Sequence, residues 1–125
     1  MENGSMDIGV LGMGVMGSNL AFNMADHGFQ VAGWNRTDDM TEAAEKRNPP
    51  ANFHAFYDLE KFIGSLKKPR RVFVMIAAGA PVDWAIDTLV PLLDKGDIIL
   101  DGGNSFYEDP RRRHDMLAEK GICYF

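Results

Sequence analysis

Solid apolar runs and spaced apolar repeats alternate along this chain, and the alternation predicts strands and helices in turn. Met6 to Asn35 carries the clearest unit. Ile8, Val10 and Leu11 make a strand-like run, Gly12-Met13-Gly14-Val15-Met16-Gly17 interrupts it, a helical pattern continues to His27, and Val31 to Trp34 is a second run. In that helix Met16, Leu20 and Met24 recur every four residues, with Gly17 and Ala21 beside them, which predicts one buried stripe. Gly28 is a helix stop.

The same reading extends to the rest of the chain. Thr37 or Asp38 can cap a second helix, mostly polar at Glu42, Glu45, Lys46 and Arg47, which Asn48-Pro49-Pro50 stops. Ala51 to Phe56 is ambiguous, a short third strand being one reading, and Asp58 caps a helix turning Leu59, Phe62, Ile63 and Leu66 inward. Val72 to Ile76 is a continuous apolar run, the mark of a parallel strand covered on both faces, and Ala77 to Ala80 is a small-residue loop. A helix opening at Pro81 shows Val82, Ile86, Leu89 and Val90 on one face and breaks near Pro91, before Gly96. Ile98 to Leu100 forms a strand that ends in the loop Asp101-Gly102-Gly103-Asn104-Ser105. Asp109-Pro110 opens a last helix to about Lys120, and Gly121 leads into Ile122 to Phe125. The expected fold is α/β, a doubly wound parallel sheet of the Rossmann type in three α/β/α layers, with ligands bound outside the carboxyl ends of the strands.

Gly12 to Gly17 lie at that edge, and each glycine answers a steric demand. The first permits a sharp turn, the second lets a diphosphate approach the backbone, and the third lets helix and strand pack closely. The backbone amides that open the following helix favour an anion. A phosphate loop of the kinase and ATPase type requires Gly-Lys-Ser/Thr, and Gly17-Ser18-Asn19 lacks it. The competing reading is a tight strand-to-helix turn with no ligand. A cofactor with a free ribose 2′-hydroxyl meets an acidic residue about twenty positions on. Here Asn35 and Arg36 stand at that place, so repulsion toward a 2′-phosphate is absent and a guanidinium is at hand. NADP is therefore expected over NAD. The alternative is a surface arginine paired with Asp38 or Asp39.

At 125 residues the chain makes one domain, short for a dehydrogenase that also holds its substrate. It ends within a strand-like run, which reads as a truncation. A net charge of −5 argues against nucleic acid. Lys67-Lys68-Pro69-Arg70-Arg71 and Arg111 to Arg113 read as solvated turn and helix charges. The single cysteine, Cys123, gives no disulfide framework or metal cluster and fits a reducing cytoplasm. No apolar run approaches membrane-spanning length. His27, His54 and His114 show neither metal nor triad spacing and read as structural or surface residues.

Ile8 to Gly17, Asn35-Arg36-Thr37 and above all Gly96-Asp97-Ile98-Ile99-Leu100-Asp101-Gly102-Gly103-Asn104-Ser105 resemble the amino-terminal domain of the 6-phosphogluconate dehydrogenase family, within the β-hydroxyacid dehydrogenases. The resemblance covers nearly the whole chain from Asp7. It implies NADP-dependent oxidation and decarboxylation of 6-phosphogluconate to ribulose 5-phosphate, a step of the pentose phosphate pathway, in a homodimeric parent. By position, Gly12, Met13, Gly14, Val15, Met16 and Gly17 would hold the diphosphate, and Asn35, Arg36 and Thr37 the 2′-phosphate. Ile76, Ala77 and Ala78 would touch the cofactor by backbone, and Asn104 both nicotinamide and substrate. Two positions depart from the pattern: Ala77 stands where the family commonly has lysine, and Phe106 where a polar residue is usual. The family's catalytic lysine and glutamate and its helical domain fall beyond Phe125, so residues 1–6 read as a flexible lead-in, 7–125 as the NADP-binding domain, and the chain alone as inactive. Another β-hydroxyacid dehydrogenase and a free-standing nucleotide-binding module are the competing readings.

Overall fold

In a computed structural model of the chain, residues 4–75, 80–102 and 114–124 are described, without the side chains of 80–83 and 101. Among the described residues six strands form one sheet: β1 (Ile8–Leu11), β2 (Val31–Trp34), β3 (Phe53–Ala55), β4 (Arg71–Val74), β5 (Ile98–Asp101) and β6 (Cys123–Tyr124). All pairs are parallel, in the order β3-β2-β1-β4-β5-β6, so the strand order reverses beside β1. That reversal opens a crevice at the carboxyl ends of β1 and β4, where doubly wound sheets bind ligands.

The helices are α1 (Val15–Asp26), α2 (Asp38–Glu45), α3 (Leu59–Gly64) and α4 (Ala80–Leu89), the last followed by a 3-10 turn at Val90–Leu92. Residues 114–118 form α5. Strand alternation sorts the core into two layers. Leu11, Ala32, Trp34, Val72, Val74 and Ile99 face Phe62, Ile63, Ile86, Leu89 and Leu117 of α3, α4 and α5. Val10 and Val31 face the other way, against Ala21, Ala25 and Ala44 of α1 and α2. Three layers result, as the alternation predicts. Among the described residues no helix is long and apolar enough to cross a membrane.

Several local expectations change. The buried face of α1 is Gly17, Ser18, Ala21 and Ala25, while Met16 is 72% exposed and Leu20 and Met24 are half-buried. The reason is distance: α1 lies so close to the sheet that only small residues fit between, and the long side chains are displaced to the flanks. Gly4 and Met6, within the expected lead-in, are docked: the Gly4 amide donates to the Gly64 carbonyl, the Met6 amide to Ser65, and the Met6 side chain is buried. Arg70 is not a solvated turn charge. Its side chain is 15% exposed, its guanidinium bonds Asp97 Oδ2 and Asp94 Oδ2, both at 3.2 Å, and its amide donates to Asp97 Oδ1 at 2.8 Å. Asp97 Oδ2 also accepts from the Asp94 amide at 2.8 Å, so this buried carboxylate ties the entries of β4 and β5 together. Residues 76–79 and 103–113 lie outside the described residues, and with them most of the expected Ala77 to Ala80 loop, the end of the Asp101 to Ser105 loop and the helix start expected at Asp109-Pro110.

Other elements form for the reasons the sequence supplies. Asp58 accepts from the Lys61 amide at 3.2 Å and so caps α3. Pro91 falls where α4 gives way to the 3-10 turn. Thr37 is the N-cap residue of α2, although its side chain makes no capping bond there.

A candidate dinucleotide site

β1 delivers the chain to Gly12, whose φ of 113° only glycine adopts without strain. The Gly12 amide donates to the Trp34 carbonyl at 2.8 Å, which anchors the turn to β2. A Cβ on Gly17 would overlap the Gly12 carbonyl oxygen and lie 2.9 Å from its carbon, so α1 can start here only with glycine. Gly14 is the opposite case. A Cβ there would meet nothing within 4 Å, so steric crowding from the protein does not explain a glycine at this position, and the space beside it is open to a ligand. Gly14 is also the N-cap of α1, with no side-chain cap, and the first turn holds no acidic residue. Its opening amides and the positive end of the helix are thus available to an anion.

The end of β2 is wired to this turn. Asn35 Oδ1 accepts from the Met13 amide at 2.9 Å, and Asn35 Nδ2 donates to Thr37 Oγ1 at 3.0 Å and to the Thr37 carbonyl at 3.2 Å. The Thr37 hydroxyl in turn bonds the Asp39 carboxylate, which, with the Met40 amide, holds that group below the ordinary carboxylate range. Asn35 and Thr37 therefore use their polar atoms to shape the loop. Arg36 is exposed and forms no ion pair among the described residues, so neither Asp38 nor Asp39 neutralises it. Its guanidinium carbon lies 5.4 Å from the centroid of the Trp84 ring.

Two residues that pattern reading passed over support the site. Arg47 bonds Ser18 Oγ and, at 2.5 Å, Asn19 Oδ1, and stacks over Phe22 at 5.1 Å, bracing the start of α1 from beyond α2. Trp84 of α4 lies under Arg36. Neither contact has a local signal, because the partners are 29 and 48 residues apart in sequence. The histidines fit structural or surface roles: His27 bonds the Asn23 carbonyl at 2.7 Å, His54 bonds Gln30 at 3.1 Å, and His114 is exposed. Ile76, Ala77, Ala78, Asn104 and Phe106 lie outside the described residues.

Strand order, glycine turn and uncapped helix start together define a dinucleotide-binding domain of the doubly wound class. The model of the NAD binding domain of 6-phosphogluconate dehydrogenase matches residues 7–125. A Bacillus licheniformis protein named 6-phosphogluconate dehydrogenase, decarboxylating, is 55% identical over 94% of this chain and 25% of its own length. A Bacillus subtilis relative, named NAD(+)-dependent and decarboxylating, is 53% identical over the same shares. Plasmodium falciparum 6-phosphogluconate dehydrogenase, solved apo, with NADP+ and with 6-phosphogluconate, superposes with a TM-score of 0.87 at 40% identity, over 94% of this chain and 26% of that one. The chain belongs to the 6-phosphogluconate dehydrogenase family and holds its nicotinamide-dinucleotide-binding domain, spanning about a quarter of the length of these relatives.

Proposed function

We propose that this chain binds NADP in preference to NAD, as the cofactor domain of an enzyme that oxidises and decarboxylates 6-phosphogluconate. The family accommodates either cofactor, since one relative is named NAD(+)-dependent and another was solved with NADP+. The side chains at the end of β2 must therefore decide. The observation that carries the choice is Arg36: an exposed guanidinium, unpaired with any carboxylate among the described residues, at the place where a ribose-binding acid would stand. Its fork of N–H donors matches a phosphate dianion.

The residues present fit the cofactor. Gly12, Gly14, Gly17 and the opening amides of α1 would hold the diphosphate, with Met13, Val15 and Met16 forming the rest of the turn. Asn35 and Thr37 would shape the loop from which Arg36 reaches the 2′-phosphate. Ile76, Ala77, Ala78 and Asn104 would complete the site, as the family resemblance implies, with Asn104 shared between nicotinamide and 6-phosphogluconate. When bound, the nicotinamide supplies the hydride acceptor; this chain's own task is to bind and orient it. By the family resemblance we read the whole enzyme as a cytoplasmic homodimer.

Dissociation constants for NADP and NAD at fixed salt test the reading. A charged hydrogen bond contributes roughly 1.5 to 3 kcal/mol, so Arg36→Ala should lower the NADP/NAD affinity ratio by roughly ten- to a hundredfold while NAD binding changes little. Equal weakening of both cofactors would show that Arg36 is structural.

A further inference from the structure

Arg36 does not stand alone at the sheet edge. Beneath its guanidinium is the Trp84 ring, which stacks on Trp34 with centroids 6.4 Å apart and planes at 14°. Trp34 stacks in turn on Phe62, at 6.4 Å and 30°. Trp34 is 7% exposed and Phe62 fully buried, and the Trp34 indole N–H donates to the Tyr57 carbonyl at 3.3 Å. The column thus runs from the exposed guanidinium to the floor of the core, joining β2, α4 and α3. A free arginine at a strand end samples many rotamers, and a ligand must arrest them. An arginine laid on a tryptophan face is restrained, while the edge of its planar fork stays open to oxygen ligands.

We propose that Trp84 is a positioning residue for cofactor choice: by stacking under Arg36 it holds the guanidinium where a 2′-phosphate binds, and so adds to NADP affinity without touching NAD. The inference rests on the reading of Arg36 given above. It separates two roles at this edge, the charge supplied by β2 and the platform supplied by α4.

The test is a cycle of Arg36→Ala, Trp84→Leu and the double variant, with Trp84→Phe beside it. NADP and NAD dissociation constants are measured by calorimetry at one ionic strength, and thermal melts report the fold. Trp84→Leu should weaken NADP by about three- to tenfold, the range of an exposed to partly desolvated cation–π contact, and leave NAD within about twofold. Trp84→Phe should recover part of that loss, and in the Arg36→Ala background Trp84→Leu should leave the cofactor ratio where it was. A Trp84→Leu loss shared equally by both cofactors, or one that persists undiminished without Arg36, assigns Trp84 a purely structural role and overturns the proposal. If Trp84→Leu does not fold, Trp84→Phe decides: its weaker ring should lower the ratio by about two- to threefold, and an unchanged ratio overturns the proposal. An Arg36→Ala variant that keeps the wild-type ratio refutes the NADP reading and this inference with it. Loss of the ratio in Arg36→Ala but not in either Trp84 variant refutes this inference alone.

Discussion

Replacing Gly14 with alanine should separate binding from folding. Gly14 has φ −66° and ψ −174°, an extended conformation open to any residue, and its Cβ would meet nothing within 4 Å. Exchanging glycine for alanine at an N-cap costs about 0.5 to 1 kcal/mol, and the smaller entropy of the unfolded alanine chain returns about 0.4 to 1 kcal/mol. The melting temperature should therefore stay within about 3 °C of wild type. Binding is different, because the methyl group would stand in the space through which a diphosphate approaches the first amides of α1. Two anion-to-amide bonds at roughly 1.5 kcal/mol each amount to about a hundredfold in affinity. The diphosphate is common to both cofactors, so NADP and NAD should weaken together, unlike in Arg36→Ala. Calorimetric titration beside a circular-dichroism melt makes the comparison, with Gly17→Ala as the contrasting control that loses the fold through collision with the Gly12 carbonyl. A Gly14→Ala chain that melts normally and binds with wild-type affinity would refute the placement of the diphosphate.

The buried pair at the opposite edge should govern stability. Asp97→Ala removes one of the two carboxylates at the Arg70 guanidinium and strands two backbone amides, and because Asp94 remains bonded to Arg70 the loss falls near the low end of the range for broken buried pairs, about 3 kcal/mol, or roughly 10 °C in a thermal melt; a change below about 2 °C would refute this account. Asp7 contributes to acid sensitivity. The Gln30 amide, bonded to its carboxylate at 2.8 Å, lowers its pKa from 3.8, with Lys67 also helping. A depressed carboxylate pKa gives stability that is present above the unfolded value and lost as pH falls through the folded one. The stability gap between wild type and Asp7→Ala should hold at pH 6 and close below about pH 4, and melts across that range that stay parallel would contradict the assignment.

Much of this fold was legible in the chain because local rules govern it. The glycine turn, the Asp58 cap and the break at Pro91 each depend on a few neighbouring residues, and each forms where the pattern puts it; the solid apolar run yields β4 over Arg71–Val74, with Ile76 outside the described residues. The errors arose where distant packing decides. Periodicity chose Met16, Leu20 and Met24 as the buried stripe of α1, but the closeness that Gly17 imposes admits only Gly17, Ser18, Ala21 and Ala25. Arg70 looked like one of a solvated run because its acids lie 24 and 27 residues downstream. Arg36 had Asp38 and Asp39 as nearby candidates, yet its contact is Trp84, on an element that only the tertiary fold brings alongside. Asn35 carries an expected ligand role, and the fold adds a bridge from its amide to Met13 and Thr37 that the pattern does not show.

The Asp97 cluster sits where β4 and β5 begin, and the glycine turn sits where β1 ends. Strands of four residues put about 13 Å between these edges. Substitutions that far apart, with no shared partner, combine nearly additively. The domain therefore gives evolution, and protein engineers, two independent dials. On the proposed role of Arg36, changes around Arg70 and Asp97 should shift heat tolerance without altering cofactor choice, while changes at the β2 edge should shift cofactor choice on a scaffold whose durability is set elsewhere.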